Sequence, residues 1–187
     1  MIYLVAIVVG LAFGAGDQWL GTIHALNHLG PWAVSISQMA ALWVLLPFLF
    51  GCSQKRPREA ALVGLTATVA ALLGYWAMTV SPMEGVALQS APSAAAAWLG
   101  GNVAWWVAGV ITGPLFGYLG HRWRSGGSWT GPALLSAVFL LEPVVRRASD
   151  RLIGPSWVWV AEFAVGAGMV VAFAASAPAH RKRRALA

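Results

Sequence analysis

Residues 60–80 read AALVGLTATVAALLGYWAMTV and contain no charged side chain. A helix of roughly 20 mostly apolar residues is long enough to cross the hydrocarbon core of a bilayer. Similar stretches recur along the chain, and six spans are predicted, at about 1–20, 31–51, 60–80, 98–120, 131–146 and 155–177. The sequence therefore predicts an all-α fold, a polytopic membrane bundle of about six transmembrane helices.

The composition supports lipid rather than water as the surrounding solvent. Of the 187 residues, 59% are hydrophobic and only 10% are charged, whereas a soluble domain carries about 25% charged residues. We expect a single transmembrane helical domain over residues 1–180 and a basic cytoplasmic tail over 181–187. The single Cys52 allows no intramolecular disulfide.

The basic residues predict the orientation. The net charge of +6 is also seen in nucleic-acid-binding proteins, but nine of the twelve Lys and Arg residues lie in three short segments, at 55–58, 122–124 and 181–184. With six spans these segments share one side, which the positive-inside rule makes cytoplasmic. We therefore predict a multi-pass protein of the cell (plasma) membrane, N-in/C-in, with the lipid bilayer as its partner and no nucleic acid. Arg146, Arg147 and Arg151 fall on the opposite side and count against this orientation.

Glycines at helical spacing predict where the spans pack together. Such residues let helix backbones approach closely in lipid. Two faces carry them at intervals of four residues, formed by Gly10 with Gly14, and by Gly109 with Gly113 and Gly117. We interpret both faces as helix-packing surfaces.

Four acidic residues lie on or beside the spans and are the predicted catalytic residues. A charge near the bilayer centre costs at least about 2.5 kcal/mol, so an acid there is a functional candidate. The orientation above puts all four in the outer half of the membrane, where they can line one pocket. They are Asp17, Glu84, Glu142 and Glu162.

Each acid also has a structural interpretation. Glu142 precedes Arg146 by four residues, the spacing of a helical ion pair. Glu84 suits a solvated loop, and Asp17 suits a helix cap or an interface position. Glu162 has no basic residue nearby on its helix, so we expect it to be neutral if it is buried.

Tryptophan repeats the asymmetry of the acids. Eight of the eleven map to the outer half, whereas Trp43, Trp123 and Trp129 do not. Both an interfacial belt and an aromatic-lined cavity explain the bias. The predicted substrate-binding residues are Trp19, Tyr75, Trp76, Asn102, Trp105, Trp106 and Trp159.

The predicted chemistry follows from these residue types. A carboxylic acid kept neutral in an apolar pocket donates protons, and aromatic faces attract cations. Together they suit protonation of an isoprenoid alkene or epoxide, followed by cyclisation through carbocations. The sequence has no P-loop, nucleophile elbow, dinucleotide fingerprint or Asp-rich magnesium motif. No cofactor and no metal are therefore expected.

Several short motifs carry a resemblance that covers most of the chain. They are Gly16-Asp17-Gln18, Gly74-Tyr75-Trp76, Pro82-Met83-Glu84-Gly85, Gly101-Asn102, Trp105-Trp106, Gly113-Pro114-Leu115-Phe116-Gly117, Trp123-Arg124 and Leu141-Glu142-Pro143. The chain resembles a family of small actinobacterial integral membrane proteins with mostly uncharacterised members. It is similar to bacterial membrane-bound terpene cyclases of meroterpenoid pathways, of the drimentine type that cyclises farnesylated indole diketopiperazines. That resemblance implies metal-independent, protonation-initiated cyclisation of a prenylated small-molecule substrate, an isomerase- or lyase-type reaction.

Two other functions stay open at this stage. Outer-facing acids and tryptophans also suit a small-solute transporter, or the substrate-binding subunit of an importer. A structural membrane protein without a site is the third interpretation. For the cyclase, Asp17 or Glu84 is the expected initiating acid and Glu142 its partner. Homo-oligomer formation is left open.

Overall fold

The computed structural model describes residues 1–81 and 91–185. Within these ranges the chain is all-α, with nine helices and no strand. The helices are α1 (Ile2–Leu20), α2 (Ile23–Leu29), α3 (Pro31–Ser37), α4 (Ala40–Cys52), α5 (Pro57–Thr79), α6 (Ala91–Gly101), α7 (Val103–Gly126), α8 (Thr130–Ala148) and α9 (Ser156–Ala185). The predicted all-α membrane bundle is confirmed.

The described helices include four that are long and apolar enough to cross a membrane, namely α1, α5, α7 and the Ser156–Ser176 part of α9. The pair α3 and α4 is bent by 53° at its junction and makes a fifth span if it is counted as one. Helix α8 is more polar because it carries Glu142, Arg146 and Arg147. The sixth span therefore stays a prediction that depends on α8.

Helices α1 and α5 pack backbone against backbone through glycine. A Cβ atom added to Gly14 would overlap the carbonyl oxygen of Ala71, and one added to Gly74 would overlap that of Leu11. Gly10 meets Ala67 in the same way. The predicted packing face of α1 is confirmed.

Helix α7 packs in the same manner against α4 and α5. A Cβ atom on Gly117 would overlap the carbonyl oxygen of Ala60 in α5, and one on Gly120 would overlap that of Phe48 in α4. Gly113 lies against Thr68, whose Oγ1 would be 2.8 Å from an added Cβ atom. The second predicted glycine face is confirmed.

Helix α8 belongs to the bundle despite its charges. Leu135 and Phe139 of α8 join an apolar cluster with Phe48 of α4 and Trp123 of α7. On its other side, α8 packs against α9, where a Cβ atom on Gly166 would lie 2.8 Å from that of Phe139. The charged part of α8 is therefore held next to α4 and α9.

The predicted span at 31–51 is divided between α3 and α4, and two further boundaries differ from the predicted spans. The predicted span at 98–120 is divided at Asn102, where α6 ends and α7 begins. Helix α9 continues to Ala185, so the first residues of the predicted basic tail prolong the helix.

Candidate functional site

The site lies at the break between α3 and α4. Gln38 and Met39 separate the two helices. The first backbone N–H groups of a helix have no partner within it, and Met39 provides no side-chain cap for α4. The break therefore leaves polar backbone groups that another part of the protein must satisfy.

Glu142 of α8 supplies the missing cap. Its Oε1 accepts a hydrogen bond from the N–H of Ala40 at 2.9 Å, and its Oε2 accepts one from Ala41 at 2.9 Å. A carboxylate is favoured at this position because the N-terminus of a helix carries partial positive charge. Glu142 therefore holds α8 to the first turn of α4.

Arg146, one turn further along α8, also binds the helix break, and Glu142 and Arg146 together are hereafter called the clamp. Its Nε donates to Oε1 of Glu142 at 2.9 Å, so the predicted ion pair is confirmed. A terminal guanidinium nitrogen of Arg146 also donates to the carbonyl oxygen of Gln38. The two side chains thus satisfy donors and an acceptor on both sides of the helix break.

Glu162 of α9 brings a second carboxyl to the same place. Its side chain is buried, with the residue only 3% exposed, and among the described residues neither of its oxygens meets a hydrogen-bond donor. The carboxyl of Glu142 and the guanidinium group of Arg146 are close enough to interact with it electrostatically. Ionised carboxylates only accept hydrogen bonds, so the two carboxyls can bond to each other only through a proton that one of them carries.

Trp159, one turn before Glu162 on α9, also lies at this site. Its Nε1 donates to the carbonyl oxygen of Ile153 at 3.0 Å, and its ring lies 5.2 Å from the guanidinium carbon of Arg146. Cations are attracted to the face of an aromatic ring. Arg146 is therefore held between the carboxyl of Glu142 and the indole of Trp159.

Asp17 of α1 contacts the same turn of α4 through Trp43. Asp17 is buried, and the side chain of Trp43 is close enough to interact with its carboxyl. The Trp43 ring packs against Phe13 and Tyr75, with centroids 5.3 Å and 6.0 Å away. Trp43 follows Ala40 by three residues, about 4.5 Å along the helix axis. Two of the predicted acids therefore contact one helical turn, Glu142 at its backbone and Asp17 at its side chain.

The remaining predicted site residues do not all converge on this turn. Trp105 is 64% exposed, and Asn102 lies between α6 and α7. Trp19 and Trp106 are half-buried, while the Nε1 of Trp76 is buried without a hydrogen-bond partner in the described part of the chain. Glu84 lies outside the described residues.

The sequence interpretation missed two parts of the site. A continuous span at 31–51 puts Trp43 away from the outer-half acids, whereas in the structure α4 starts at Ala40 and Trp43 lies beside Asp17. The available signal was Gln38, a polar residue within an apolar stretch. The sequence predicts Arg146 as an ion-pair partner of Glu142 but not as a donor to the carbonyl oxygen of Gln38 at the helix break.

No metal ligands are assigned to this site. Over 1–81 and 91–185, no three His, Cys, Asp or Glu side chains lie close enough to hold a metal ion.

No curated protein and no solved structure matches the chain. A family model matches residues 1–187, which is the whole chain. The chain therefore belongs to the family described as Family of unknown function (DUF6518).

Proposed function

We propose that the chain is an integral membrane terpene cyclase that protonates a prenylated substrate, with Glu162 as the acid and Glu142 as its partner. The observation that carries the proposal is the buried carboxyl of Glu162, which faces a second carboxyl and no donor within the described residues. Like charges at short range disfavour ionisation of both groups. The proposal therefore places one shared proton on the two side chains.

The hydrogen bonds support Glu162 as the residue that carries this proton. Glu142 accepts bonds from three donors, two backbone N–H groups and Arg146. Glu162 has no such donors. Arg146 interacts with Glu162 as well and stabilises the carboxylate that remains after proton transfer.

The proposed reaction conserves the atoms of the substrate. The Glu162 O–H bond breaks as a new C–H bond forms on an alkene carbon, and the adjacent carbon becomes cationic. Another alkene of the chain attacks that carbon and closes a ring. Loss of a proton from the final cation to a carboxylate restores neutrality, so the product is an isomer of the substrate.

Aromatic side chains beside the carboxyls support this chemistry. Trp159 lies at the Glu142–Glu162 pair, and Phe13, Trp43 and Tyr75 form a cluster at Asp17. Fixed aromatic faces lower the energy of a carbocation without reorganisation of solvent. Asp17, also predicted as an acid, would act on the opposite side of the α4 turn.

The test is turnover of a farnesylated acceptor in membranes that contain the protein and a metal chelator. We expect an isomer of equal mass, and in deuterium oxide a product that has gained one deuterium. Glu162→Gln keeps the side-chain shape but removes the acid, and loss of a general acid typically costs about 10² to 10⁴ in rate. The control is Glu59→Gln, which changes an acid in the exposed Arg56–Glu59 pair.

Two outcomes would contradict this proposal. Full activity of Glu162→Gln would exclude Glu162 as the acid. If no isoprenoid substrate is converted by the unmodified protein, the cyclase proposal fails.

A transporter is the second candidate, and the broken α3–α4 segment favours it. Interrupted helices whose ends meet charged groups form substrate sites in many secondary transporters. The clamp of Glu142 and Arg146 on the break fits that pattern. Uptake of a solute into proteoliposomes, without conversion of isoprenoids, would support this candidate instead.

A further inference from the structure

A second polar region lies at the opposite end of α4, where the α4–α5 loop meets α7. His121 of α7 is buried, and its Nδ1 lies 3.0 Å from the carbonyl oxygen of Gln54 in that loop. Its Nε2 lies 3.3 Å from Oγ of Ser125. The imidazole therefore fastens the loop to the last turns of α7.

A second contact joins the same two elements. The thiol of Cys52, at the end of α4, donates to the carbonyl oxygen of Gly120 in α7 at 3.4 Å. The charge of Arg124 is close enough to Cys52 to act on it. The end of α7 and the α4–α5 loop thus form one surface.

This surface is strongly basic. It consists of five exposed side chains, hereafter the basic surface: Lys55, Arg56, Arg58, Arg122 and Arg124. Only one of them pairs with an acid among the described residues, since Arg56 lies 3.4 Å from Glu59. Five positive charges and one negative charge leave a net +4 on one end of the bundle.

Aromatic side chains indicate the depth at which the basic surface lies relative to the bilayer. Arg122 donates to the hydroxyl of Tyr118 at 3.0 Å. Trp129, just after the end of α7, is exposed and packs edge-on against Trp123 at 5.7 Å. Exposed Trp and Tyr residues are typical of the headgroup level of a bilayer.

From this combination, we propose that the basic surface binds the headgroup of an anionic phospholipid in the adjacent leaflet. Guanidinium groups bind phosphate with paired, charge-assisted hydrogen bonds. The His121 and Cys52 contacts hold the two basic segments together, so the proposed site draws on basic side chains from both. The site is independent of the carboxyl pair, because it lies at the other end of α4.

The test is native mass spectrometry of the purified full chain in detergent with equal amounts of phosphatidylglycerol and phosphatidylcholine. We expect phosphatidylglycerol adducts to predominate. Each basic side chain contributes about fivefold to binding of anionic lipid, so Arg122→Gln with Arg124→Gln should weaken phosphatidylglycerol binding about 25-fold. Lys55→Gln with Arg58→Gln should have a similar effect without changing α7.

The matched control is Arg147→Gln with Arg151→Gln, which removes two exposed arginines at the far end of α8. It should keep the binding of the unmodified protein. The proposal is overturned if both pairs of basic-surface variants keep the preference for phosphatidylglycerol, or if the control loses it equally. Displacement of the lipid by millimolar inorganic phosphate would also overturn it, since the surface would then bind free anions.

Discussion

At the scale of single residues, the main feature of the site is that the carboxyls of Glu142 and Glu162 lie close to each other. The sequence marked both as candidates because an acid on an apolar helix is costly. It also predicted the Glu142–Arg146 pair, which depends only on helical spacing. It also allowed all four acids to line one pocket, but which two carboxyls come close to each other depends on how α8 and α9 pack.

The two glutamates should respond differently to the same substitution. In Glu162→Gln the amide supplies a donor to Glu142, so the melting temperature in detergent should equal or exceed that of the unmodified protein. In Glu142→Gln the new amide N–H group is itself a donor and faces the donors of Ala40, Ala41 or Arg146, so at least one hydrogen bond is lost. We expect a loss of roughly 3 kcal/mol, as for other broken buried pairs. Equal melting temperatures for the two variants would contradict the observed roles.

At the scale of helices, the glycine faces were predictable, and the residues that cap the helix break were not. Close packing at Gly10 and Gly14 follows from the absence of a Cβ atom, which is a local property of the sequence. The break at Gln38 depends on Glu142 and Arg146 from a helix a hundred residues further along the chain. Gln38 is a polar position within the 31–51 stretch, but the sequence does not show which distant residues cap a helix that begins after it.

Two neighbouring glycines of α1 test the close packing. Gly14→Ala forces a methyl group into the backbone of α5 at Ala71, and such overpacking costs about 1–3 kcal/mol. Gly16→Ala meets nothing within 4 Å and should be neutral or slightly stabilising. Thermal unfolding of the two variants in the same detergent measures the difference. Tolerance of alanine at both positions would mean that α1 and α5 are further apart.

At the scale of the whole molecule, the packing agrees with the predicted order of spans. Gly10 meets Ala67, and Gly14, one turn later, meets Ala71, so α1 and α5 run in the same direction. A parallel pair needs one return helix between them, which the α3–α4 segment provides. The predicted span at 131–146 is short, whereas α8 covers Thr130–Ala148, and its Glu142 and Arg146 pair with each other within the bundle.

Reporter fusions test this topology. Fusions at Arg58 and Arg124 should report the cytoplasm, and one at Ala91 should report the outside. A fusion at Asp150, just after α8, should also report the outside if α8 crosses the membrane. A cytoplasmic signal at Asp150 would leave α8 on one side and remove the sixth span.

The proton on Glu162 is tested most directly by infrared spectroscopy of the full chain in lipid bilayers at neutral pH. A protonated carboxyl has a C=O stretching band that a carboxylate lacks. We expect such a band in the unmodified protein, one component of which is lost in Glu162→Gln and retained in the control Glu59→Gln. An unchanged band in Glu162→Gln would show that Glu162 is ionised and would contradict its role as a proton donor.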